Sequence, residues 1–243
     1  ELALAAHARI ATGQCALGLP EVKLGLSPSA GGTQRLARLC GAENTLKLLI
    51  WGSSTRANVA ADWGIVDWVS NKDLWDEAQE LALECVQNPP QRTRDLVAGA
   101  ADPASFQKAV DIARKSAVGP LAKVKESLCQ LVEAAQILPF ETGMRMEAAT
   151  FATLKDSRKF HALKHILFAE RRVATAANHI KPVDKIGIYG DGPQAILIIG
   201  EAISADLHVL SMGLSEQSHS AIVQIVHHNA RQKLRDEDHI SRI

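Results

Sequence analysis

The chain has 243 residues and a mass of 26.2 kDa, which is enough for one large or two small domains. Hydrophobic residues make up 47% of it, which excludes an intrinsically disordered protein. The 27 basic side chains balance the 27 acidic ones, so we expect neither nucleic acid nor an anionic membrane as a partner. No apolar run approaches the roughly 18 residues of a membrane helix, and no membrane span is predicted.

The pattern of cysteines and histidines predicts neither a metal site nor a disulfide framework. The cysteines, which are Cys15, Cys40, Cys85 and Cys129, are widely spaced, lie in apolar segments and form no CxxC pair. We interpret them as buried thiols of a reducing compartment. The nine histidines form no HExxH pattern, so no metal site is predicted. We expect a cytoplasmic, bacterial protein, with the peroxisome or the mitochondrion as open alternatives.

Residues 1 to about 70 combine short apolar runs with dense glycine and proline, a pattern typical of an α/β fold. The segment from Ala30 to Thr33 leads into an amphipathic helix that carries Leu36 and Leu39, and Gly41 separates this helix from a second one. The predicted elements, in chain order, begin with a helix over 1–9 and a loop over 17–29. The two helices on either side of residue 41 follow, and the second of them covers about 42–50. A helix over 57–63 and a strand over 65–69 complete this part.

From about residue 71 to residue 176 the pattern is helical, and proline-containing breaks divide it. The breaks are Asn88-Pro89-Pro90, Asp102-Pro103, Gly119-Pro120 and Leu138-Pro139, and the last helix covers about 156–177. A strand over 185–189, a glycine turn, a helix to about 204, a strand over 207–212 and a helix from near residue 215 follow. This order is the start of a βαβ unit, so a new domain is predicted to begin near residue 180.

Glu1 and Glu21 are the candidate catalytic residues. Two carboxyl groups brought together can divide acid and base work, because burial and mutual repulsion push their pKa values apart. Their spacing alone is typical of ordinary surface charges. The flanking sequences are more specific: ELALAAH from Glu1, LGLPEVKLGL from Leu17 and AGGTQRL from Ala30 together resemble the enoyl-CoA hydratase (crotonase) signature. The AADWGIVD element at residues 60–67 continues the resemblance.

The resemblance implies that Glu1 deprotonates the water that attacks C3 of a trans-2-enoyl-CoA thioester, and that Glu21 exchanges a proton at C2. It also implies Ser29, Gly31 and Gly32 as substrate-binding residues, with Ser29 standing where the family usually has glycine. In that family, the two backbone N–H groups that polarise the thioester carbonyl come from segments upstream of the Glu1 position. We therefore expect an internal segment of a longer enzyme, incomplete for the reaction by itself.

A second candidate site is the glycine turn after the strand over 185–189. Gly190, Gly192 and Ala195 follow a G-x-G-x-x-A pattern between a predicted strand and a predicted helix, the context of a dinucleotide-binding turn. Upstream, residues 161–172 resemble the linker of multifunctional β-oxidation α-subunits, in which the hydratase leads into a 3-hydroxyacyl-CoA dehydrogenase. The resemblance therefore implies NAD as a cofactor.

The turn departs from that family at two positions. Asp191 brings a negative charge to the place where a cofactor pyrophosphate would lie against the helix N-terminus. Gly213 stands where a carboxylate normally receives the ribose hydroxyls. Both departures weaken the prediction of NAD binding.

These observations predict an α/β protein with three parts. The first is the C-terminal half of a crotonase-like domain over 1–135, the second a helical linker over 136–180, and the third a partial, degenerate Rossmann domain of the 3-hydroxyacyl-CoA dehydrogenase type over 181–243. The predicted function is hydration of trans-2-enoyl-CoA, coupled to NAD-dependent oxidation of 3-hydroxyacyl-CoA in fatty-acid β-oxidation. Expected partners are the acyl-CoA substrate and either further copies of the chain or a thiolase-type subunit. The alternative is a non-catalytic remnant that acts by binding subunits.

Overall fold

The computed structural model describes the backbone of residues 1–177 and 183–241, and their side chains except at 176, 177 and 230–241. Over these residues the chain is mostly helical with three two-stranded sheets, which confirms the predicted α/β class. The chain divides into two compact units, Glu1–Arg171 and Arg172–Ile243. The domain start predicted near residue 180 falls within 178–182, outside the described residues. The three predicted segments stay predictions.

The first unit contains the following elements in chain order: α1 (Leu2–Ala5), β1 (Ile10–Thr12), β2 (Ala16–Gly18), a 3-10 helix (Pro20–Leu24), α2 (Gly32–Trp51), β3 (Ser54–Arg56), α3 (Ala57–Asp62), β4 (Trp68–Ser70), α4 (Leu74–Gln87), short 3-10 helices (Thr93–Asp95 and Ala98–Ala100), α5 (Pro103–Lys115), α6 (Ala122–Ile137) and α7 (Phe140–Lys155). Strands β1 and β4 pair in parallel, and β2 and β3 pair antiparallel. Helix α8 (Arg158–Ala177) begins in the first unit and ends in the second.

Helix boundaries in the first unit follow the breaks that the sequence contains. Helix α5 begins at Pro103, whose missing N–H would have no partner within the helix, and Asp102 accepts hydrogen bonds from the N–H groups of Ala104 and Ser105. Asp73 caps α4 in the same way. The proline-containing breaks therefore end and start helices as predicted.

Helix α2 is the centre of the first unit. It packs against α5 and α6 and contributes Leu36, Leu46 and Leu49 to the core. The two helices predicted on either side of Gly41 are present within this span, because Gly41 has the non-helical angles φ 76° and ψ 175° and separates them at a kink. A side-chain carbon at this position would lie 3.1 Å from the carbonyl oxygen of Gly99. Glycine therefore allows both the positive φ and the close approach of the Gly99 backbone.

The N-terminal helix is shorter than predicted. Helix α1 ends at Ala5, not at Arg9, and Ala6 is extended with φ −68° and ψ 158°. Arg9 explains the early end: its backbone N–H and its guanidinium bond to the carboxylate of Asp67, and its Nε donates to the carbonyl of Ile65 at 2.7 Å. The chain leaves the helix because these bonds draw the buried Arg9 toward the segment that precedes β4.

The loop predicted over 17–29 contains regular structure. It includes the end of β2 and the 3-10 helix, which begins at Pro20 and ends at Gly25 in the left-handed conformation with φ 73°. Strands β1 and β2 were not predicted, since three residues are too short to show an alternating pattern.

The strand predicted over 65–69 begins later, at Trp68. The N–H groups of Ile65 and Val66 both donate to the carbonyl of Ala60, at 2.8 and 3.2 Å, and so close the end of α3. The side chains of Ile65 and Val66, which suggested the start of a strand, are buried in the core instead.

The second unit contains β5 (Lys185–Tyr189), α9 (Pro193–Ser204), β6 (His208–Met212) and α10 (Glu216–Ser241). Strands β5 and β6 pair in parallel with α9 between them in the chain, which agrees with the predicted βαβ start. Helices α9 and α10 pack together where Gly200 leaves room for Ile225, whose Cγ2 would lie 2.6 Å from a side-chain carbon at Gly200.

Candidate active site

The carboxyl group of Glu1 lies against the turn that leads into α2. Its Oε1 atom accepts hydrogen bonds from the backbone N–H groups of Ser29 at 3.1 Å, Ala30 at 2.8 Å and Gly32 at 2.9 Å. The N–H groups at the start of a helix have no carbonyl partner within that helix, and the helix dipole favours a negative group there. The turn therefore holds the Glu1 carboxyl group in a defined position.

Two glycines make this approach possible. Gly31, which precedes the first residue of α2, has φ 94°. A side-chain carbon at Gly32 would lie 2.9 Å from Oε1 of Glu1. Of the residues predicted to bind substrate, Ser29 and Gly32 thus donate to Glu1, whereas Gly31 donates to another carboxylate. Their contact with substrate stays a prediction.

Glu21 lies in the 3-10 helix and is half-buried. Its Oε2 atom is buried and has no hydrogen-bond partner among the described residues. Burial raises the pKa of the Glu21 carboxyl group above its ordinary value, and the negative charges of Glu1 and Glu147 raise this pKa further. A hydrogen bond from its own backbone N–H and the α-amino group of Glu1 act in the opposite direction. Glu1 and Glu21 are therefore within electrostatic reach of each other.

Glu147, in α7, is a third carboxylate at this site that the sequence reasoning missed. Its side chain is fully buried, and it accepts hydrogen bonds from the N–H of Gly31 at 2.5 Å and from the N–H of Thr33 at 2.9 Å. The hydroxyl of Thr33 also donates to it. One sequence signal points to this residue: Glu147 is a charged position on a helix face that otherwise carries Gly143 and Leu154 toward the core.

A cavity of about 420 Å³ adjoins Glu1. Its walls are mostly apolar and include Leu4, Leu17, Leu36 and Ile65. Glu21 is not among its lining residues, so this cavity is not by itself the space in which both carboxyl groups would meet a substrate.

The glycine turn of the second unit lies where the sequence places it, between β5 and α9. Gly190 has φ 129°, and its N–H donates to the carbonyl of Met212 at 3.0 Å. Gly192 is the N-cap of α9, and Ala195 lies in the first turn of that helix. The three residues predicted to bind a dinucleotide are thus brought together at one helix N-terminus.

The groups at this turn do not fit a dinucleotide pyrophosphate. Hydrogen bonds from Ser218 and Ser215 lower the pKa of Asp191, so a negative charge stays at the turn. The N–H of Gly190 already has a backbone partner, and Pro193 supplies no N–H at the start of α9. Gly213, with φ 84°, follows β6 where a carboxylate for the ribose was expected.

Among the residues that the structure describes, the thiols and the remaining titratable groups form no second catalytic cluster. Burial raises the pKa of the Cys40 and Cys129 thiols to about 11, which leaves both protonated at neutral pH. Within residues 1–177 and 183–241, no group of three or more His, Cys, Asp or Glu side chains could hold a metal ion. In the same part of the chain, no helix is both long and apolar enough to cross a membrane.

Glu1 and Glu21 lie in a part of the sequence that matches a known family. Residues 1–137, more than half of the chain, match the family model described as enoyl-CoA hydratase/isomerase. The chain therefore belongs to the enoyl-CoA hydratase/isomerase family, the crotonase family that the sequence resembles.

The matches to two curated relatives cover more of the chain than the family model does. The chain is 38% identical over 175 residues to a peroxisomal bifunctional enzyme of Danio rerio, covering 70% of this chain and 24% of the relative. It is 35% identical over 208 residues to a fatty acid oxidation complex subunit alpha of Idiomarina loihiensis, covering 79% of this chain and 29% of the relative. The chain thus spans less than a third of the length of these relatives. Among solved structures, a carnitinyl-CoA hydratase from Mycobacterium avium is 25% identical with a TM-score of 0.42, over 70% of this chain and 54% of that one.

Proposed function

We propose that this chain supplies the acid–base pair of an enoyl-CoA hydratase that acts on trans-2-enoyl-CoA thioesters in fatty-acid β-oxidation. The observation that carries the proposal is the pairing of two differently held carboxyl groups. Glu1 is fixed by three backbone N–H groups, whereas Glu21 has a raised pKa and a buried oxygen for which the described residues provide no hydrogen-bond partner. Such an asymmetric pair suits one base and one acid at neutral pH.

In the proposed reaction, Glu1 accepts a proton from water while the water oxygen forms a bond to C3 of the enoyl thioester. The C2–C3 double bond becomes a single bond, and C2 takes a proton from Glu21. The product is a 3-hydroxyacyl-CoA, and protons exchanged with solvent restore both carboxyl groups. The raised pKa of Glu21 suits its role, because a carboxyl group of ordinary pKa would hold little proton to donate at neutral pH.

The coupled NAD-dependent oxidation of 3-hydroxyacyl-CoA stays a prediction of the sequence resemblance. The name of the bifunctional relatives supports it at the level of the longer protein. The turn around Asp191 argues against this chain's own residues holding the dinucleotide, so we assign no step to them.

Partners and location are likewise proposed from the relatives. The Idiomarina relative is named as a subunit of a complex, which supports the prediction of a partner subunit or of further copies of the chain. The relatives include a peroxisomal and a bacterial protein, and the balanced charge and free thiols suit either setting.

The test is a pair of conservative substitutions in the native polypeptide that carries this chain. Glu1→Gln and Glu21→Gln should each lower kcat for hydration of an enoyl-CoA by about 10²- to 10⁴-fold, because each removes one proton-transferring group. The loss of absorbance of the enoyl thioester reports the rate. The matched control is Glu84→Gln, an exposed glutamate on α4, which should keep the wild-type rate.

Two results would contradict the proposal. Wild-type rates in both active-site variants would show that these carboxyl groups do not carry the reaction. A native polypeptide that hydrates no enoyl-CoA would favour the alternative of a non-catalytic, subunit-binding remnant.

A further inference from the structure

Two carboxylates divide the N–H groups of the turn before α2. Glu1 takes those of Ser29, Ala30 and Gly32, and Glu147 takes those of Gly31 and Thr33. The N-cap residue of α2 is a glycine without a side chain, so Glu147 supplies the cap that the helix lacks locally. The carboxylate comes from α7, more than a hundred residues along the chain.

We propose that Glu147 is a positioning residue for the Glu1–Glu21 pair, which fixes the turn that holds Glu1 and places a third carboxyl group near Glu21. This inference rests on the proposed hydratase function and deepens it. Residues 1–137 match the family model, so Glu147 lies outside the region by which the family is recognised.

The anchoring of Glu147 explains how it can hold this turn. Its side chain is fully buried, and its two oxygens accept hydrogen bonds from three donors of α2 and the preceding turn. Thr33 is itself held by the Nε2 of Gln34, which also donates to the carbonyl of Leu131 in α6. The turn is therefore tied through buried bonds to both α6 and α7, and cannot shift without breaking them.

The charged groups around Glu147 come from three elements. Two of these groups are the carboxyl groups of Glu1, the N-cap residue of α1, and of Glu21, in the 3-10 helix. Arg35 of α2 lies beside Gly31, but its guanidinium donates to the carbonyl of Ala30 and stacks on the ring of Phe140. From α6, the backbone carbonyl of Leu131 meets the cluster through Gln34. Loss of the Glu147 charge should therefore lower the pKa of Glu21.

The experiment compares Glu147→Gln with Glu141→Gln, a matched change at an exposed position of the same helix. In Glu147→Gln we expect the pKa of Glu21, followed by ¹³C NMR of labelled glutamate carboxyl groups in the chain, to fall, and to stay unchanged in Glu141→Gln. In the native polypeptide, kcat for hydration should fall about a hundredfold with KM unchanged, as expected when a catalytic group is misplaced. The limb of the kcat–pH profile that reports Glu21 should move to lower pH.

The NMR readout separates this inference from the proposed function. If the polypeptide hydrates no enoyl-CoA, the proposed function fails while the pKa of Glu21 still tests Glu147. An unchanged pKa of Glu21 in a folded Glu147→Gln variant overturns the inference, and so does a rise in KM at constant kcat.

A second pair keeps the inference testable if Glu147→Gln does not fold. Thr33→Val removes the hydroxyl donor to Glu147 at nearly constant shape, and Thr33→Ser keeps it. We expect Thr33→Val to lower kcat with KM unchanged and Thr33→Ser to retain the wild-type kcat. Equal rates in the two variants would contradict a positioning role.

Discussion

At the scale of single residues, the site is defined by what surrounds each carboxyl group and not by the groups themselves. Glu1, Glu21 and Glu147 are chemically identical, yet Glu1 is held by three N–H groups and Glu147 by three donors, whereas Glu21 keeps a buried oxygen without a hydrogen-bond partner among the described residues. These differences support the different tasks that we propose for the three glutamates. They depend on which N–H groups point at each side chain, and so on the turn before α2.

Glu21→Gln should stabilise the fold at neutral pH even as it removes activity. The pKa of Glu21 is raised in the folded chain, so the native state holds this proton more tightly than the unfolded state does. The stabilisation that the protonated carboxyl group provides is present below its unfolded pKa and is lost as pH rises through the folded pKa. Glutamine does not ionise and avoids that loss.

Thermal unfolding at a series of pH values checks this prediction. The difference in Tm between Glu21→Gln and the wild type should grow from acid to neutral pH. A difference that is constant or shrinks with rising pH would show that Glu21 carries no unfavourable charge in the folded chain.

At the scale of elements, the start of α2 is the feature on which the site depends. The helix supplies N–H groups, Gly31 supplies the left-handed backbone, and Gly32 supplies the space for the Glu1 carboxyl group. The 3-10 helix with Glu21 and helix α7 with Glu147 both reach this point. Helix α2 therefore organises the core and the site at once.

Gly32→Ala should lower the rate of hydration. The new methyl group would lie 2.9 Å from both Oε1 of Glu1 and Cβ of Pro28, and 3.0 Å from Cδ1 of Leu19, so these groups must shift. A displacement of the Glu1 carboxyl group by about 1 Å can cost about a hundredfold in rate. Alanine is a better helix former than glycine, so helix propensity itself does not oppose the change. The measurement is kcat of the native polypeptide together with its Tm.

Gly13→Ala is the matched control, because a side-chain carbon at Gly13 would have no atom within 4 Å. It should leave kcat at the wild-type value. Equal rates in the two alanine variants would show that Glu1 needs no close approach to the α2 turn.

At the scale of the whole molecule, the two units differ in how much core they possess. The main hydrophobic core lies within the first unit, from Leu4 to Leu154, with Phe160 packed against it. The second unit buries few apolar side chains among its described residues, which include Ile199 and Ile222. Its strands leave large apolar side chains exposed, namely Tyr189, Leu210 and Met212.

The second unit should therefore open more readily than the first. Hydrogen exchange followed by mass spectrometry should show faster exchange in β5 and β6 than in α6, because local opening free energy follows buried apolar contact. Helix α5 serves as the internal control, since it belongs to the first unit and packs on α2 and α6. Equal protection of β5 and α6 would contradict the expected difference.

Sequence alone determined the class of fold, most helix ends and the two catalytic candidates. Proline and aspartate set local backbone geometry through a missing N–H and a side-chain cap, so the breaks at Asp102-Pro103 and Leu138-Pro139 needed no tertiary information. The predicted strand over 185–189 was confirmed in full. Glu1 and Glu21 were identified by their flanking sequences, which are local as well.

Only the tertiary structure decided where distant segments meet. The early end of α1 depends on bonds from Arg9 to Asp67, and the late start of β4 depends on the closing bonds of α3. Glu147 entered the site because α7 packs against α2, a contact that no local pattern encodes. Local propensity acts between neighbours in the chain, whereas the hydrogen bonds and burial that set these positions form only when the core brings remote residues together.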